Sequence, residues 1–270
     1  MRCENCLHGM KSYDAEGEFY RCEIRATPYG NDCKFSKAVR PHCKLIAYTP
    51  NPVRVIETAA AVCYGGNTTS EGRLMRNCYK AGHLSVFEHV SFTFSVEGVS
   101  RVLLAQITRH RHASFSVRSQ RYCNEDGFRF VEPPSMTKVG GHGEPDSFSA
   151  CMSDDDLRYS TWVRDGVSQE DARYLLPGGI ETKFVVTMNA RELMHLCNLR
   201  LCSRAQWEIR NLVQMMRDAV VAVCPDFDPY LVPQCEVHAP YNFCTETKSC
   251  GRHPKLKDVY KEDMPDGSTT

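Results

Sequence analysis

The clearest hydrophobic pattern in the chain is a strict alternation of apolar and polar residues over 90–97, Val-Ser-Phe-Thr-Phe-Ser-Val-Glu. Successive side chains of a strand point to opposite faces, so this pattern predicts a strand with one buried face. We expect the strand to end at Gly98. Residues 184–188 are β-branched and aromatic enough to predict a second buried strand.

Helices are predicted where apolar residues recur at helical spacing between residues that start or stop a helix. The expected ranges are 53–64, stopped by Gly65 and Gly66; a helix capped by Ser70 that runs to about 81; 101–108, capped by Ser100; 153–166; 169–176, opened by Ser168 and Asp171; a helix opened by Asn189 and Glu192; and 205–223. The last helix is expected to turn one apolar face to the core, made of Ile209, Leu212, Val213, Met216 and Val220.

One charged residue interrupts the apolar face of the helix that opens at Asn189. Four residues share that face, at spacings of three, four and seven: Leu193, Leu196, Cys197 and Arg200. A buried arginine without a partner is costly. Arg200 therefore either pairs with an internal acid or binds an anionic ligand.

The composition is typical of a soluble globular protein, since 42% of the 270 residues are hydrophobic and 24% are charged. The length allows one large domain or two modest ones. No apolar run approaches the roughly 18 residues of a membrane helix. The first residues lack an apolar secretory segment, so we expect a cytoplasmic protein. A balance of 33 basic and 33 acidic residues argues against a protein that coats nucleic acid.

Positive charge is nevertheless concentrated in residues 109–122, the arginine-rich stretch, whose sequence is RHRHASFSVRSQRY. No acid occurs between Glu97 and Glu125. The planar fork of arginine matches phosphate oxygens, and the interleaved serine, glutamine and tyrosine side chains add neutral donors and acceptors. The stretch predicts a surface that binds a phosphorylated ligand; a solvated basic loop is the alternative.

Cysteines gather at the two ends of the chain. Their total of 15 is odd and no secretory segment is present, which argues against a disulfide framework. Near the start, four cysteines are either the ligands of a structural zinc ion or reduced, unliganded thiols: Cys3, Cys6, Cys22 and Cys33. Near the end, further metal ligands could come from Cys235, His238, Cys244, Cys250 and His253.

Residues 133–150 are rich in proline and glycine and predict a loop, which is either a mobile flap or an insertion. The sequence has neither a G-x-G-x-x-G fingerprint nor a P-loop. A nucleotide or dinucleotide would then be held by arginines rather than by a glycine-rich turn at the start of a helix.

Four motifs in chain order make the sequence similar to the flavin-dependent thymidylate synthases. The signature of that family is Arg-His-Arg, seven residues, a serine and, two positions further on, an arginine. Here it consists of Arg109-His110-Arg111, Ser119 and Arg121. The other motifs are Phe87-Glu88-His89; Ala172-Arg173 with Leu176-Pro177; and residues 189–209, which contain Asn189-Ala190-Arg191, Asn198-Leu199-Arg200 and Ala205-Gln206-Trp207-Glu208-Ile209.

The resemblance implies an α+β fold in which helices flank a mixed sheet. The catalytic domain is expected over 46–230, between a cysteine-rich extension, 1–45, and a cysteine-containing tail, 231–270. The family is homotetrameric, with active sites at subunit interfaces. It binds FAD and methylates dUMP to dTMP, with methylenetetrahydrofolate as carbon donor and NADPH as reductant. No membrane and no nucleic acid is expected as a partner.

The same resemblance implies two sets of site residues. FAD would be contacted by Ser85 of a neighbouring subunit and by Arg109, His110, Arg111, Asn189, Ala190, Arg191 and His195. The residues expected to bind dUMP are Gln106, Ile107, Thr108, Arg109, Val117, Arg118, Ser119, Gln120, Arg121, Arg173 and Arg200. Arg200 is the candidate catalytic residue, because it would pair with the uracil ring and favour its ionised form. That role would explain an arginine on an apolar face.

Two positions depart from the family pattern. Val117 stands where the family commonly has glutamate, and His195 stands where it often has asparagine. A histidine can still donate one hydrogen bond. Within the arginine-rich stretch we expect residues 109–111 to face the flavin and Ser119 and Arg121 to face the nucleotide, with a turn of the chain between them.

The alternative function is that of a zinc-containing nucleic-acid-binding protein that uses the arginine-rich stretch. Such a protein needs a basic surface wider than one stretch.

Overall fold

The computed structural model describes residues 9–14, 17–22, 38–66, 71–136 and 147–262. Of the cysteines expected to bind zinc near the start of the chain, Cys3, Cys6 and Cys33 lie outside these residues, and for Cys22 only the backbone is described. The zinc site predicted there stays a prediction.

The chain forms two compact units. The first unit consists of Met1–His42, Glu97–Ala105 and Val117–Phe184. The second unit consists of Cys43–Val96, Gln106–Ser116 and Val185–Thr270. The predicted domain boundaries near residues 45 and 230 are a separate matter and stay a prediction.

Within the described residues, six strands form two sheets. Strands β1, Gly9–Asp14, and β2, Gly17–Cys22, make an antiparallel hairpin in which Gly9 pairs with Cys22. The second sheet has the order β3–β4–β6–β5. Its strands are β3, His42–Tyr48; β4, Ser91–Ser100; β5, Ala113–Val117; and β6, Glu181–Asn189.

Two neighbouring pairs in the second sheet are antiparallel. The amide of Ala190 donates to Val90 O, and that of Arg101 donates to Ile180 O, so β4 and β6 run in opposite directions. Likewise Thr49 N donates to Ser91 O at one end of β3, while Gly98 lies against Arg40 beyond its other end. The α+β prediction is confirmed, but these two pairs are antiparallel and do not support the expected mixed sheet.

Strand β4 has the buried face that the alternation predicts, because Phe92, Phe94 and Val96 are fully buried. The expected stop at Gly98 is wrong, since the strand continues to Ser100. Gly98 has φ +71°, and a Cβ atom there would lie 2.0 Å from the carbonyl oxygen of Arg40. The glycine is therefore required by a close backbone approach inside the strand rather than by a strand end.

Eight helices lie in the described part of the chain. They are α1, Pro52–Tyr64; α2, Arg73–Lys80; α3, Arg101–Ile107; α4, Phe148–Arg164; α5, Gln169–Ala172; α6, Ala190–Arg200; α7, Trp207–Val223; and α8, Leu256–Glu262. Short 3-10 helices span Leu84–His89, Arg173–Leu175, Pro225–Tyr230 and Gln234–Glu236. None of the helices in these ranges combines the length and the apolar character that a bilayer crossing requires.

Most predicted helix starts are confirmed, because they depend on local hydrogen bonds. Ser100 Oγ accepts from Leu103 N, and Ser168 Oγ accepts from Asp171 N. Two starts are wrong. Helix α2 begins after Gly72, not after a Ser70 cap, and α4 begins at Phe148, inside the segment expected to be a loop.

Each unit has its own core. In the first unit Phe128, Phe130, Met152 and Ile180 form a buried cluster. In the second unit the apolar residues predicted to face inward from α6 and α7 are fully buried, including Leu193, Leu196 and the five apolar residues of α7. Burial raises the pKa of Cys197 on the same face to about 12, so its thiol behaves as a small apolar side chain.

Replacing Gly98 by alanine is expected to lower the free energy of unfolding by about 2–5 kcal/mol, because the methyl group displaces the Arg40 backbone and the residue is strained at positive φ. The matched control is Gly82→Ala. Gly82 has φ +75° but no heavy atom within 4 Å of an added Cβ, so about 1 kcal/mol is expected. Denaturant unfolding measures both, and equal losses would contradict the role of the Arg40 contact.

Candidate functional site

The arginine-rich stretch does not form a single structural element. Residues 108–112 form a turn, strand β5 covers 113–117, and a second turn begins after Ser119. The expected turn between residues 111 and 119 is therefore wrong, because an extended strand lies there. Residues 109–116 belong to the second unit and residues 117–122 to the first, and each part builds its own cluster of side chains.

In the second unit, the imidazole of His110 lies between a carboxylate and a guanidinium. Its Nδ1 is 2.9 Å from Glu192 Oε1, and Arg200 Nε donates to its Nε2 at 3.4 Å. His110 and Glu192 are buried, with 5% and 6% of their surface exposed. Arg200 is half-buried at the end of α6.

These contacts define the protonation state of His110. An arginine can only donate, so His110 Nε2 must be the acceptor and Nδ1 must carry the proton that is donated to Glu192. Burial lowers the pKa of His110, and the charges of Arg200 and His195 lower it further, against the hydrogen bond and charge of Glu192. The ring is therefore neutral near pH 7.

This arrangement explains how an arginine is accommodated on the apolar face of α6. Arg200 does not meet Glu192 directly; its Nε is held by a neutral ring that is itself bonded to the acid. The Nε of the Arg200 guanidinium is thus held by an imidazole and not by a carboxylate. Such a cation is suited to an anionic group of a ligand.

Asn189 and Ala190 serve the start of α6. Asn189 Oδ1 accepts from Glu192 N at 2.8 Å, which is the predicted cap, and Ala190 N is bonded to Val90 O. Arg191 is exposed and its Nη1 lies 2.5 Å from Glu88 Oε1. His195 is exposed one turn further on, with its ring 5.7 Å from that of His110.

A groove of about 1250 Å³ in the second unit opens beside the start of α6. Of the residues expected to contact flavin, Asn189, Arg191 and His195 line it. Ser85, Arg109 and Arg111 are exposed but are not among the described residues that line the groove. Its other cationic and aromatic lining residues include Arg76, Lys80, His112, Tyr79 and Tyr230.

Sequence analysis missed one wall of this groove. Residues of the tail line it, among them Val237, His238, Tyr241 and Phe243. The rings of His238 and Phe243 are stacked, 5.0 Å apart and 4° from parallel. The visible signal for this role was the pair of aromatic residues, Tyr241 and Phe243, that follow His238 in the sequence.

In the first unit, two predicted nucleotide-binding arginines meet at one acid. Arg121 Nε lies 2.9 Å from Glu170 Oε2, and Arg173 Nε donates to the carbonyl oxygen of Glu170 at 2.9 Å. The Arg121–Glu170 pair is about half exposed, so it contributes little stability and can open. Ser119 Oγ accepts from Arg121 N at 3.2 Å, which places its hydroxyl in the same cluster.

Arg118 and Ile107 are less suited to the roles expected for them. Both nitrogens of one edge of the Arg118 guanidinium bind buried Glu125, at 2.9 and 3.3 Å, and that pairing raises the pKa of Arg118. This edge of the Arg118 guanidinium is therefore already occupied by an acid of the same unit. The side chain of Ile107 is fully buried, so a contact with substrate through this side chain would need the core to open.

The remaining residues expected at the substrate are accessible to different degrees. Arg109 and Thr108 are exposed in the turn after α3, whereas Gln106, Val117 and Gln120 are half-buried. Their exposure is compatible with the expected contacts and does not test them.

The acids that organise both clusters were not predicted as site residues. Glu192 was expected only to help open α6, yet its carboxylate binds a ring 82 positions away. Glu125 was visible as the residue that ends the acid-free span, but Arg121 and Arg129 are both nearer to it in sequence than its partner Arg118, so spacing did not reveal the pair.

The family model of the thymidylate synthase complementing proteins matches residues 44–226. A flavin-dependent thymidylate synthase of Clostridium tetani is 37% identical over 244 residues, which cover 80% of this chain and 96% of the relative. The chain belongs to the flavin-dependent thymidylate synthase family. Residues 227–262, which include the tail wall of the groove, lie beyond the matched range.

Solved structures show the same fold at lower identity. Thymidylate synthase X from Helicobacter pylori, crystallised with FAD and dUMP, is 23% identical with a TM-score of 0.58, over 74% of this chain and all of that one. The UMP/dUMP methylase PolB from Streptomyces cacaoi, bound with 5-Br dUMP, is 24% identical with a TM-score of 0.60, over 70% of this chain and 93% of that one.

The neutral state of His110 makes stability depend on pH. Because burial lowers the pKa of His110 in the folded protein, the unfolded chain binds more protons below about pH 6.5, the ordinary histidine value. The free energy of unfolding should therefore fall as pH falls from 7 to 5. In His110→Gln this part of the pH dependence should disappear.

Denaturant unfolding at several pH values measures the effect, with His83→Gln as the control because it removes an exposed histidine. The control should retain the wild-type slope. An unchanged slope in His110→Gln would contradict a neutral, buried His110.

Proposed function

We propose that the chain catalyses the reductive methylation of dUMP to dTMP with bound FAD. The observation that carries this proposal is the guanidinium of Arg200, which is half-buried and held at Nε by neutral His110. Membership of the flavin-dependent thymidylate synthase family supports it. So does the likeness to a protein crystallised with both FAD and dUMP.

The groove in the second unit fits FAD. Its volume of about 1250 Å³ exceeds the roughly 300–1,000 Å³ of ordinary small-molecule sites, as a dinucleotide requires. Arg76, Lys80 and Arg191 supply cations for a diphosphate, and Tyr79 supplies a ring. Asn189 and His195 add polar groups. When bound, the flavin supplies the hydride chemistry that side chains cannot perform.

The cluster around Glu170 is suited to the phosphate of dUMP. Arg121 binds the Glu170 carboxylate, whereas Arg173 binds the backbone carbonyl oxygen of the same residue. A phosphate that replaced the carboxylate would therefore meet Arg121 directly, with Arg173 held on the same residue. Ser119 Oγ adds a neutral group. We assign the phosphate to Arg121, Arg173 and Ser119, and do not assign Arg118, because Glu125 already occupies its fork.

Arg200 is proposed to bind the uracil ring and to favour its ionised form. A positive charge fixed beside the base stabilises negative charge that develops on the ring during carbon transfer. The Glu192–His110 pair holds the guanidinium in place, so little reorganisation is needed during the reaction.

No enzyme nucleophile is proposed. Ser119 Oγ accepts from a backbone amide, and among the described residues no base is bonded to it that could remove its proton. A neutral serine is a weak nucleophile. Ser119 is therefore assigned to binding.

The remaining features of the proposal come from the family resemblance. They are methylenetetrahydrofolate as the carbon donor, NADPH as the reductant, and a homotetramer with active sites at subunit interfaces. Residues of one nucleotide site would then come from more than one chain. A cytoplasmic location is part of the same proposal.

The nucleic-acid-binding alternative is not favoured. It requires a broad positive surface, whereas two of the arginines in the stretch are paired with acids, Arg118 with Glu125 and Arg121 with Glu170.

The visible spectrum of the purified protein, followed by a turnover assay, tests the proposal. We expect a flavin band that NADPH bleaches and air restores. With dUMP and methylenetetrahydrofolate added, dTMP should form. A protein that stays colourless after incubation with FAD, or that forms no dTMP when flavin-loaded, would overturn the proposal.

Arg200→Ala should weaken dUMP binding about 10- to 100-fold while FAD remains bound, because a charge-assisted hydrogen bond to the base is lost. Arg54→Ala is the control, since it removes the same charge from an exposed position on α1. Calorimetric titration of flavin-loaded protein measures the dissociation constant. Unchanged dUMP affinity in Arg200→Ala would refute the role assigned to Arg200.

A further inference from the structure

The tail folds back against the end of α6 in the second unit. Asn198 Nδ2 donates to Val232 O at 2.9 Å, and Arg204 Nη1 donates to Lys248 O at 3.3 Å. The chain then doubles back on itself, because Cys244 N donates to Pro254 O at 2.7 Å. This path brings the short helix Gln234–Glu236 beside His253.

Three different ligand types converge there. The Sγ atom of Cys235, a carboxylate oxygen of Glu236 and a ring nitrogen of His253 all lie within 4.8 Å of one another. In a tetrahedral zinc site, bonds of roughly 2.0–2.3 Å place ligand atoms about 3.3–3.8 Å apart. Small side-chain rotations therefore suffice to bring these three atoms to one ion. None of the three residues is fully exposed.

We propose that Cys235, Glu236 and His253 bind a zinc ion, with Cys202 as the fourth ligand. Cys202 follows α6 and, like Cys244 and Cys250, lines the same cavity of about 310 Å³ as Cys235 and His253. Two thiolates, an imidazole and a carboxylate form a ligand set that suits zinc rather than the hard cations, which prefer oxygen. Four protein ligands make the site structural and not catalytic.

The contacts around Glu236 are those of a carboxylate ready to bind a metal. Glu236 Oε1 is 3.2 Å from His253 Nε2 and 2.6 Å from Arg252 Nη2. Zinc would replace the contact to His253, and Arg252 would remain as the hydrogen-bond partner that orients the ligating carboxylate. Arg252 is 54% exposed as a side chain, so as a simple ion pair it would contribute little.

Metal binding at this site must release protons. Binding forms two zinc–sulfur bonds and sends the protons of both thiols to solvent. No oxidation or reduction is involved.

The site would connect the tail to the rest of the second unit. Glu236 and the neighbouring residues 237–239 line the groove, and Cys202 belongs to the segment between α6 and α7. A zinc ion that bound both would fix the tail wall of the groove. The proposal does not depend on the flavin or nucleotide assignments.

The zinc content per subunit tests the proposal. It is measured by elemental analysis of the full-length protein, which is produced in zinc-containing medium and purified under reducing conditions. Cys235→Ser and His253→Gln should each lose about one equivalent. Cys151→Ser and His83→Gln are matched controls at exposed positions and should lose none. Circular dichroism and flavin content of each variant, measured in parallel, establish that it is folded.

The cysteines near the start of the chain require a control of their own. In Cys3→Ser/Cys6→Ser protein the proposed site should retain its zinc, with two sulfur and two nitrogen or oxygen ligands by X-ray absorption at the zinc edge. Cys202→Ser should reduce zinc affinity in competition with a chelator.

Four results would each overturn the proposal. The first is wild-type protein with less than about a tenth of an equivalent of zinc, and the second is full zinc content in both Cys235→Ser and His253→Gln. The third is zinc that is lost only when Cys3 and Cys6 are replaced. The fourth is a zinc ligand shell made of oxygen alone. Unchanged zinc affinity in Cys202→Ser would overturn the assignment of the fourth ligand. Flavin content and dTMP formation are separate readouts, so a failure here is distinguishable from a failure of the proposed function.

Discussion

The second unit depends on a ring that both donates and accepts a hydrogen bond. His110 gives its Nδ1 proton to Glu192 and receives a bond from Arg200 at Nε2. No positively charged side chain can do both, because lysine and arginine only donate. The ring also joins the turn after α3 to α6, whose N-cap Asn189 lines the groove together with Arg191 and His195 of the helix. One neutral imidazole therefore links a buried acid, a positioned cation and the wall of the groove.

In the first unit, the two arginines of the stretch are paired with acids that differ in burial. Arg118 is bound on one edge by buried Glu125, whereas Arg121 is paired with Glu170, whose side chain is 48% exposed. A buried carboxylate is costly to release, while an exposed one exchanges for another anion at low cost. The distinction separates an arginine that supports the fold from one that can exchange its partner for another anion, although both occur in the same stretch of sequence.

What could be predicted from the sequence was mostly local. Caps at Ser100, Ser168 and Asn189 join residues three positions apart, and the buried face of β4 follows from alternation. The partners that complete the clusters are distant in sequence, as the His110–Glu192 contact illustrates, and no periodicity reveals them. Strand β5 was missed because charged residues surround its five-residue alternation. Gly98 misled because the neighbour that requires it, Arg40, is 58 positions earlier (98 − 40).

Strand β4 ends at Ser100 and α3 begins at Arg101, so no loop separates them. Inserting one residue would turn the helix by about 100° about its axis and would exchange the two faces of the strand. Ser100 caps the helix, and the amide of Arg101 donates to Ile180 O. Because hydrogen bonds fix both residues, the junction cannot accommodate an additional residue. The number of residues from Phe92 to His110 is therefore itself a requirement of the site, and gains or losses of length must be accommodated elsewhere in the chain.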